Sequence, residues 1–109
     1  MDITTKPEGQ LTFIQLSGSL DAKEAPAVKK ALQDVLNNGV KKLVVDMEAV
    51  GFIDSSGLAA LVSTLLAARK NDADVALCGL TPAVRSVLEL TRLHRVFNVY
   101  EDATAAVAR

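Results

Sequence analysis

Apolar residues along the chain follow two alternating patterns, one typical of strands and one typical of helices. Leu11 to Leu16 is rich in strand-forming residues and roughly alternates between apolar and polar positions, which predicts a strand. Before it, Ile3 to Thr5 predicts a short strand, and Pro7-Glu8-Gly9 predicts a turn. The chain is therefore expected to open with a β-hairpin, and Ser17 to Asp21 is expected to lead out of it.

The next segment has the spacing of one apolar helix face. Pro26 suits the first turn of a helix, where its missing N–H is not needed, and Asn37-Asn38-Gly39 predicts the end of that helix. Leu43 to Met47 is a continuous apolar, β-branched run, which predicts a strand covered on both faces and therefore central and parallel. The residues of the predicted apolar helix face are Ala25, Val28, Leu32, Val35 and Leu36.

The second half of the chain repeats the alternation of helix and strand. Leu58 to Lys70 predicts a second helix, and Val75 to Cys78 predicts another buried strand. Thr81-Pro82 predicts the start of a third helix, with threonine as the cap and proline at the first helical position. Val96 to Val99 predicts a last strand, and Glu101 to Ala108 predicts a terminal helix.

The predicted order of elements is β-β-α-β-α-β-α-β-α. This alternation indicates an α/β fold with a mainly parallel central sheet, an N-terminal hairpin strand and about four helices. The chain has 109 residues, 50% of them hydrophobic, and fits one domain over residues 1–109. Its formal net charge of −1 argues against general nucleic-acid binding and gives no polybasic face for membranes. Because it shows neither a signal peptide nor a membrane-spanning run, we expect a cytoplasmic protein.

The polar segment between the third strand and the second helix carries the candidate chemistry. Asp54, Ser55 and Ser56 all favour the N-cap position, so the segment is at least a well-formed helix start. If the helix begins near Ser55 and turns about 100° per residue, its large apolar residues share one face, which we expect to be the core face. On this count Ser55 points nearer to the core and is the better cap. The residues of the expected core face are Leu58, Leu61, Val62, Leu65 and Leu66.

The opposite side of the same helix carries only small residues. They fall within about 40° of one another, and they are Ser56, Ala60, Ser63 and Ala67. Alanine is also the best helix former, but a stripe without long side chains lets another surface approach closely, and we interpret it as a partner-binding face. Phosphorylation of Ser56 would add about −1.5 to −2 charge at the head of this neutral stripe. Because that charge would have to be desolvated on docking, the modification is expected to prevent binding.

These residues resemble the STAS-domain anti-sigma factor antagonists of bacteria. The resemblance implies the STAS fold, and it identifies the second serine, here Ser56, as the phosphate acceptor. Asp21 matches an acidic position of the family near the acceptor, and Asp54 matches the acid before the serines, which we interpret as a positional or capping residue. Ser55 and Gly57 complete the segment that supports the phosphorylation site. The segments that carry the resemblance are Leu16 to Asp21, Leu43 to Met47, Phe52 to Leu58, Gly79 to Pro82 and Leu90 to Leu93.

The resemblance also implies a partner-switching cycle. The unphosphorylated chain would bind an anti-sigma factor that is also a serine kinase of the GHKL ATPase type, and this kinase would phosphorylate Ser56 and so end the interaction. A phosphatase of the PP2C type would restore the binding form. Since the sequence contains no Walker-type phosphate loop and no kinase signature, no catalytic residue, cofactor or metal is expected in this chain. STAS domains also serve in stressosomes and transport complexes, so a scaffold subunit that is never phosphorylated is the alternative.

Other kinds of site find less support in the sequence. A Ser-His-Asp hydrolase would need His94, the only histidine, close to Ser56, but His94 follows the third predicted helix. Cys78, the only cysteine, lies in a predicted buried strand, which indicates packing. A phospho-acceptor receiver domain shares the α/β alternation and would use Asp46 at the end of a strand. It would also need an early acidic pair and a late lysine, and neither is found at a convincing position.

Overall fold

Helices and strands alternate in the computed structural model, which describes residues 1–108. The observed order of elements confirms the predicted one, and a short 3-10 turn at Leu93–Arg95 was not predicted. The elements are β1 (Asp2–Glu8), β2 (Leu11–Leu20), α1 (Ala25–Asn37), β3 (Lys42–Ile53), α2 (Ser55–Lys70), β4 (Asp74–Cys78), α3 (Pro82–Leu90), β5 (Asn98–Tyr100) and α4 (Ala103–Val107).

Three strands are longer than the sequence pattern predicted: β1 runs over Asp2–Glu8 and not only over Ile3 to Thr5, and β2 and β3 extend further at their carboxyl ends. β2 continues to Leu20 and β3 continues past Met47 to Ile53, and these extensions pair with each other across two register shifts. Their polar and glycine residues hide the strand pattern in the sequence, but the hydrogen bonds between the neighbouring strands still form. The predicted turn over Pro7-Glu8-Gly9 is right at Gly9, where the chain reverses with a φ of +65° that favours glycine, but Pro7 and Glu8 belong to β1.

The strands form one sheet in the order β1-β2-β3-β4-β5. β1 is antiparallel to β2, and every other neighbouring pair is parallel, which confirms the predicted hairpin and the mainly parallel sheet. α1, α2 and α3 pack on one face, as consecutive right-handed crossovers require, and α4 packs on the other. None of the helices within residues 1–108 combines the length and the apolar character needed to cross a membrane.

Each face of the sheet has its own core. The larger core lies under α1, α2 and α3 and includes Ile14, Leu16, Val28, Leu32, Val45, Met47, Leu61 and Leu77. The smaller core, under α4, consists of Val44, Ala76, Cys78 and Ala106. Burial raises the pKa of the Cys78 thiol to about 11, with smaller contributions from the carboxylates of Asp46, Asp102 and Glu48. Cys78 is thus a buried strand cysteine, as predicted, and it is protonated near neutral pH.

The parallel strands determine where the polar segments meet. The chain leaves β2, β3 and β4 at the same edge of the sheet, because parallel strands have their carboxyl ends together. The loop from Asp21 to Glu24 and the start of α2 therefore lie side by side at that edge, the position where ligands and partners commonly bind in open α/β sheets.

Candidate functional site

The carboxylate of Asp54 organises the start of α2. Asp54 is the N-cap residue, and its Oδ1 accepts a hydrogen bond from the N–H of Gly57 at 3.0 Å. Its Oδ2 accepts a second hydrogen bond from the N–H of Ala22 at 3.1 Å. One side chain therefore caps α2 and also holds the loop between β2 and α1 against it. The structure shows Asp54 in the capping role that the sequence predicted.

The side chain of Asp21 stabilises the loop between β2 and α1, to which Asp21 itself belongs. Its Oδ1 accepts hydrogen bonds from the N–H groups of Lys23 and Glu24, each at 3.1 Å. The three consecutive N–H groups from Ala22 to Glu24 are thus all bound by two carboxylates, one from each side of the site. This arrangement fixes the loop beside the two serines without using a bound ligand.

Gly57 lets α2 approach the end of β2 unusually closely. A Cβ at this position would overlap the carbonyl oxygen of Leu20 and would lie 2.8 Å from Cγ of Leu20 and 2.9 Å from Cγ1 of Ile53. A Cβ atom does not come this close to a non-bonded heavy atom, so a larger residue would push the first turn of α2 away from the sheet. Gly57 therefore supports the site by its lack of a side chain.

The two serines lie differently from the sequence prediction. Ser55 is exposed and occupies the first helical position, so the prediction that it points towards the core and caps the helix is wrong. Ser56 is half-buried. Leu66, which was expected in the core face, is 53% exposed. The residues of α2 that are buried are Gly57, Ala60, Leu61, Thr64, Leu65 and Ala68, which turns the core face by about 90° from its predicted direction.

The packing of α1 explains this rotation. α1 lies against the small-residue side of α2, where Ala60 is only 3% exposed. Thr64 can be fully buried beside it because its hydroxyl donates a hydrogen bond to the carbonyl oxygen of Ala60 at 2.8 Å. Large apolar residues dominated the sequence prediction, whereas small residues decide where two helices can pack closely.

The small-residue stripe borders a shallow groove between α1 and α2. The residues lining this α1–α2 groove are Ala22, Ala25, Pro26, Lys29, Ser56, Ala59, Ala60 and Ser63. The structure thus brings Ser56, Ala60 and Ser63 together as predicted, but Ala60 forms a buried part of the groove and not a solvent-facing surface. Ala67 does not line the groove and packs against the larger core. Apart from Lys29, the lining side chains are uncharged.

Phe52 is an exposed aromatic residue that was not predicted as part of the site. It lies near the end of β3, two residues before Asp54, and is 51% exposed, while the next residue, Ile53, is 5% exposed. Strict alternation from Val50, which is buried, would turn Phe52 inward, but the pairing with β2 skips Gly51, so Phe52 faces outward while Ile53 faces the core. Gly51 is the signal of this irregularity in the sequence, because a glycine within a strand often marks a bulge. An exposed ring at the same edge as Ser56 extends the candidate docking surface.

The residues of the alternative sites are used elsewhere in the fold. His94 lies in the 3-10 turn after α3, and its Nδ1 is 3.4 Å from the carbonyl oxygen of Leu88. Asp46 accepts a hydrogen bond from the N–H of Glu48 at 3.0 Å within β3. Over residues 1–108, histidine, cysteine and carboxylate side chains form no group of three or more that could hold a metal ion.

Asp54 offers a direct test of how the site is held together. Asp54→Ala is expected to lower the free energy of unfolding by about 1–2 kcal/mol, because α2 loses its cap. Asp54→Asn should cost less, since an asparagine oxygen can still cap Gly57 while its NH₂ group cannot accept from Ala22. Urea denaturation would give the stability, and amide hydrogen exchange would report on the two N–H groups separately. Faster exchange at Gly57 than at Ala22 in Asp54→Asn would contradict this assignment of the two bonds.

Comparison with known proteins relates this geometry to one family. The family model described as "STAS domain" matches residues 2–106. The anti-sigma-B factor antagonist of Staphylococcus aureus (strain NCTC 8325 / PS 47) is 27% identical over 101 residues, which cover 93% of this chain and 94% of that protein.

Solved structures show the same likeness over nearly the full chain. The crystal structure of a candidate anti-sigma factor antagonist from Thermotoga maritima aligns with a TM-score of 0.91 at 26% identity, covering 97% of this chain and 92% of that one. An anti-sigma factor antagonist from Mycobacterium paratuberculosis aligns with a TM-score of 0.89 at 27% identity, covering 98% and 91%.

Proposed function

The chain belongs to the STAS domain family, and we propose that it is an anti-sigma factor antagonist whose partner binding is ended by phosphorylation of Ser56. In this proposal the unphosphorylated chain binds an anti-sigma factor that is also a serine kinase of the GHKL type, and a PP2C-type phosphatase restores the binding form. The observation that carries the proposal is the position of Ser56. It is the second residue of α2, half-buried, at the head of the α1–α2 groove, whose lining residues apart from Lys29 are uncharged.

The α1–α2 groove and Phe52 supply a surface on which a partner can dock. Small side chains from both helices line the groove, so a partner's backbone or side chains can come close to it. Phe52 provides an exposed aromatic ring near the end of β3, at the same edge of the sheet as Ser56, and such rings often contribute much of the binding energy of an interface. Relatives described as anti-sigma factor antagonists support the choice of an anti-sigma factor as the partner.

A phosphate on Ser56 would change the surface more than the fold. The first N–H groups of a helix have no acceptor within the helix; Asp54 binds that of Gly57 through its carboxylate and that of Leu58 through its carbonyl oxygen, and within residues 1–108 no hydrogen bond holds those of Ser55 and Ser56. An anion at Ser56 would therefore be tolerated by the chain itself. For the partner, the same anion adds about −1.5 to −2 charge to a surface that must be desolvated on docking. The charge therefore opposes binding without requiring refolding.

Calorimetric titration of the two forms against purified GHKL-type ATPases from the source organism tests the proposal. We expect the unphosphorylated chain to bind one of them with a micromolar or tighter dissociation constant and the phosphorylated chain to bind at least about 100-fold more weakly, a difference of about 2.7 kcal/mol. Equal affinities for the two forms would reject the switch and would favour a scaffold subunit that works without phosphorylation.

Phe52 is expected to be an anchor of the partner interface. Phe52→Ala should weaken binding of the anti-sigma factor by about tenfold or more while leaving the fold intact, because the ring is half exposed in the free chain. Leu90→Ala is the matched control, since Leu90 is 84% exposed at the far end of α3. Titration of both variants checks the prediction. Wild-type affinity in Phe52→Ala, or an equal loss in Leu90→Ala, would remove Phe52 from the proposed interface.

A further inference from the structure

The outer edge of β1 is open in the monomer. β1 is the first strand in the sheet order and pairs with β2 on its inner side. Within residues 1–108, the sheet has no further strand beyond it. An uncovered edge presents backbone N–H and C=O groups that can pair with another strand.

Pro7 indicates which backbone groups of β1 face outward. It lies within the strand opposite Thr12 of β2. Because proline has no N–H, it fits an edge strand where that position points away from the neighbouring strand. Backbone groups alternate in direction along a strand, so those of Ile3 and Thr5 share the outward side with Pro7. The backbone N–H and C=O groups of Ile3 and Thr5 can therefore form hydrogen bonds with another strand.

Asp2, Thr4 and Lys6 alternate with Ile3 and Thr5 along β1. Their side chains lie on the face of the sheet that α4 partly covers, and they form a pattern of charge there. Thr4 and Lys6 line a groove on this face together with Phe13 of β2. Asp2 lies two residues before Thr4 and therefore shares its face. Asp2, Thr4 and Lys6 are all exposed. Along this face of β1 the charge is negative at Asp2, neutral at Thr4, positive at Lys6 and negative again at Glu8.

We propose that β1 pairs antiparallel with β1 of a second copy of this chain, with the two Thr4 residues facing each other on the two-fold axis. In this register Ile3 of each copy lies opposite Thr5 of the other, and these outward-facing residues exchange backbone hydrogen bonds. Asp2 of each copy lies opposite Lys6 of the other, so the pairing forms two identical opposite-charge pairs. The contact is isologous, because the same patch is used on both copies.

The charges of Asp2 and Lys6 explain why β1 would pair with β1 of a second copy and not with an unrelated strand. A lysine on an edge strand discourages pairing with unrelated strands, since its charge is left without a partner. Opposite Asp2 of a second copy, that charge is matched, and the pair lies where the side chains of an antiparallel ladder come closest. The paired segment is short, so the dimer should be weak and concentration-dependent. The proposal does not depend on the proposed antagonist function.

Sedimentation equilibrium of the full chain from about 10 µM to about 1 mM tests the pairing. We expect a monomer–dimer equilibrium in this range. Lys6→Glu and Asp2→Lys should each weaken the dimer by about tenfold or more, because each places like charges opposite one another. The double variant Asp2→Lys/Lys6→Glu should restore dimerisation, since the two charges have simply exchanged places.

Glu8→Lys is the matched control for these variants. Glu8 is exposed on the same face of β1, but in the proposed register it lies past Asp2, the first residue of the second copy's strand, and has no partner in that strand. Its reversal should leave the dissociation constant unchanged, and circular dichroism would show that all variants are folded. A wild-type chain that stays monomeric throughout the range, a double variant without rescue, or an effect of Glu8→Lys equal to that of Lys6→Glu would each overturn the proposal.

Discussion

Ser56→Asp is expected to bind the anti-sigma factor about 100-fold more weakly than the wild-type chain, whereas Ser56→Ala should bind it as tightly as the unphosphorylated form. The aspartate places a fixed negative charge at the head of the α1–α2 groove, and this charge must be desolvated when a partner docks. Alanine keeps the small size and neutrality of the site. Titration of the same purified partner with each variant measures the difference.

Ser55→Asp separates a specific effect of position from a general effect of charge. Ser55 is the residue before Ser56, but it is exposed and does not line the groove. We expect its replacement by aspartate to weaken binding much less, because water can still solvate an exposed charge. If both aspartate variants lost affinity equally, the binding surface would have to be larger than the groove. If neither lost affinity, charge at Ser56 would not be the switch.

Gly57→Ala is expected to be the most destabilising single substitution in the site, with a loss of about 3 kcal/mol or more in the free energy of unfolding. The new methyl group would overlap the carbonyl oxygen of Leu20 and crowd the side chains of Leu20 and Ile53. Leu20 is fully buried and its backbone is part of β2, so neither can move aside easily. Urea denaturation, with a check that the slope is unchanged, measures the effect.

Gly51→Ala provides the matched glycine control. Gly51 lies in β3, six residues before Gly57 in the same segment, and a Cβ there would have no other atom within 4 Å. Alanine also restricts the unfolded chain more than glycine does, so this variant should be neutral or slightly stabilised. A Gly57→Ala variant as stable as Gly51→Ala would mean that α2 does not lie as close to β2 as the structure shows.

The order of elements could be predicted because each one carries a local signal. The start of α3 gives one example: Thr81 is the N-cap and Pro82 the first helical residue, as predicted, and Thr81 accepts a hydrogen bond from the N–H of Val84 at 3.5 Å. The continuous apolar run in β3 gives another, because a strand buried on both faces needs no alternation. The ends of β2 and β3 could not be predicted, since their pairing depends on the neighbouring strand and not on their own residues.

The site was only partly predictable for the same reason. Asp54 and the two serines could be found because helix starts favour them, and Asp54 indeed caps α2, whereas Asp21 was indicated only by the family resemblance. The orientation of α2 could not be predicted, because it depends on where α1 packs. Ser55, which was expected near the core, is therefore exposed, and Ala60, which was expected on the solvent side, is buried. The role of Gly57 was also hidden, because the close approach of Leu20 comes from a strand more than thirty residues earlier in the chain.

Mass analysis of the phosphorylated chain tests the central claim most directly. The chain would be incubated with ATP and the purified GHKL-type kinase that binds it, and its intact mass and peptides would be measured. We predict the gain of one phosphate on the peptide that contains Ser56, retained in Ser55→Ala and lost in Ser56→Ala. The absence of phosphate while the kinase is active on another substrate, or a phosphate that persists in Ser56→Ala, would contradict the account.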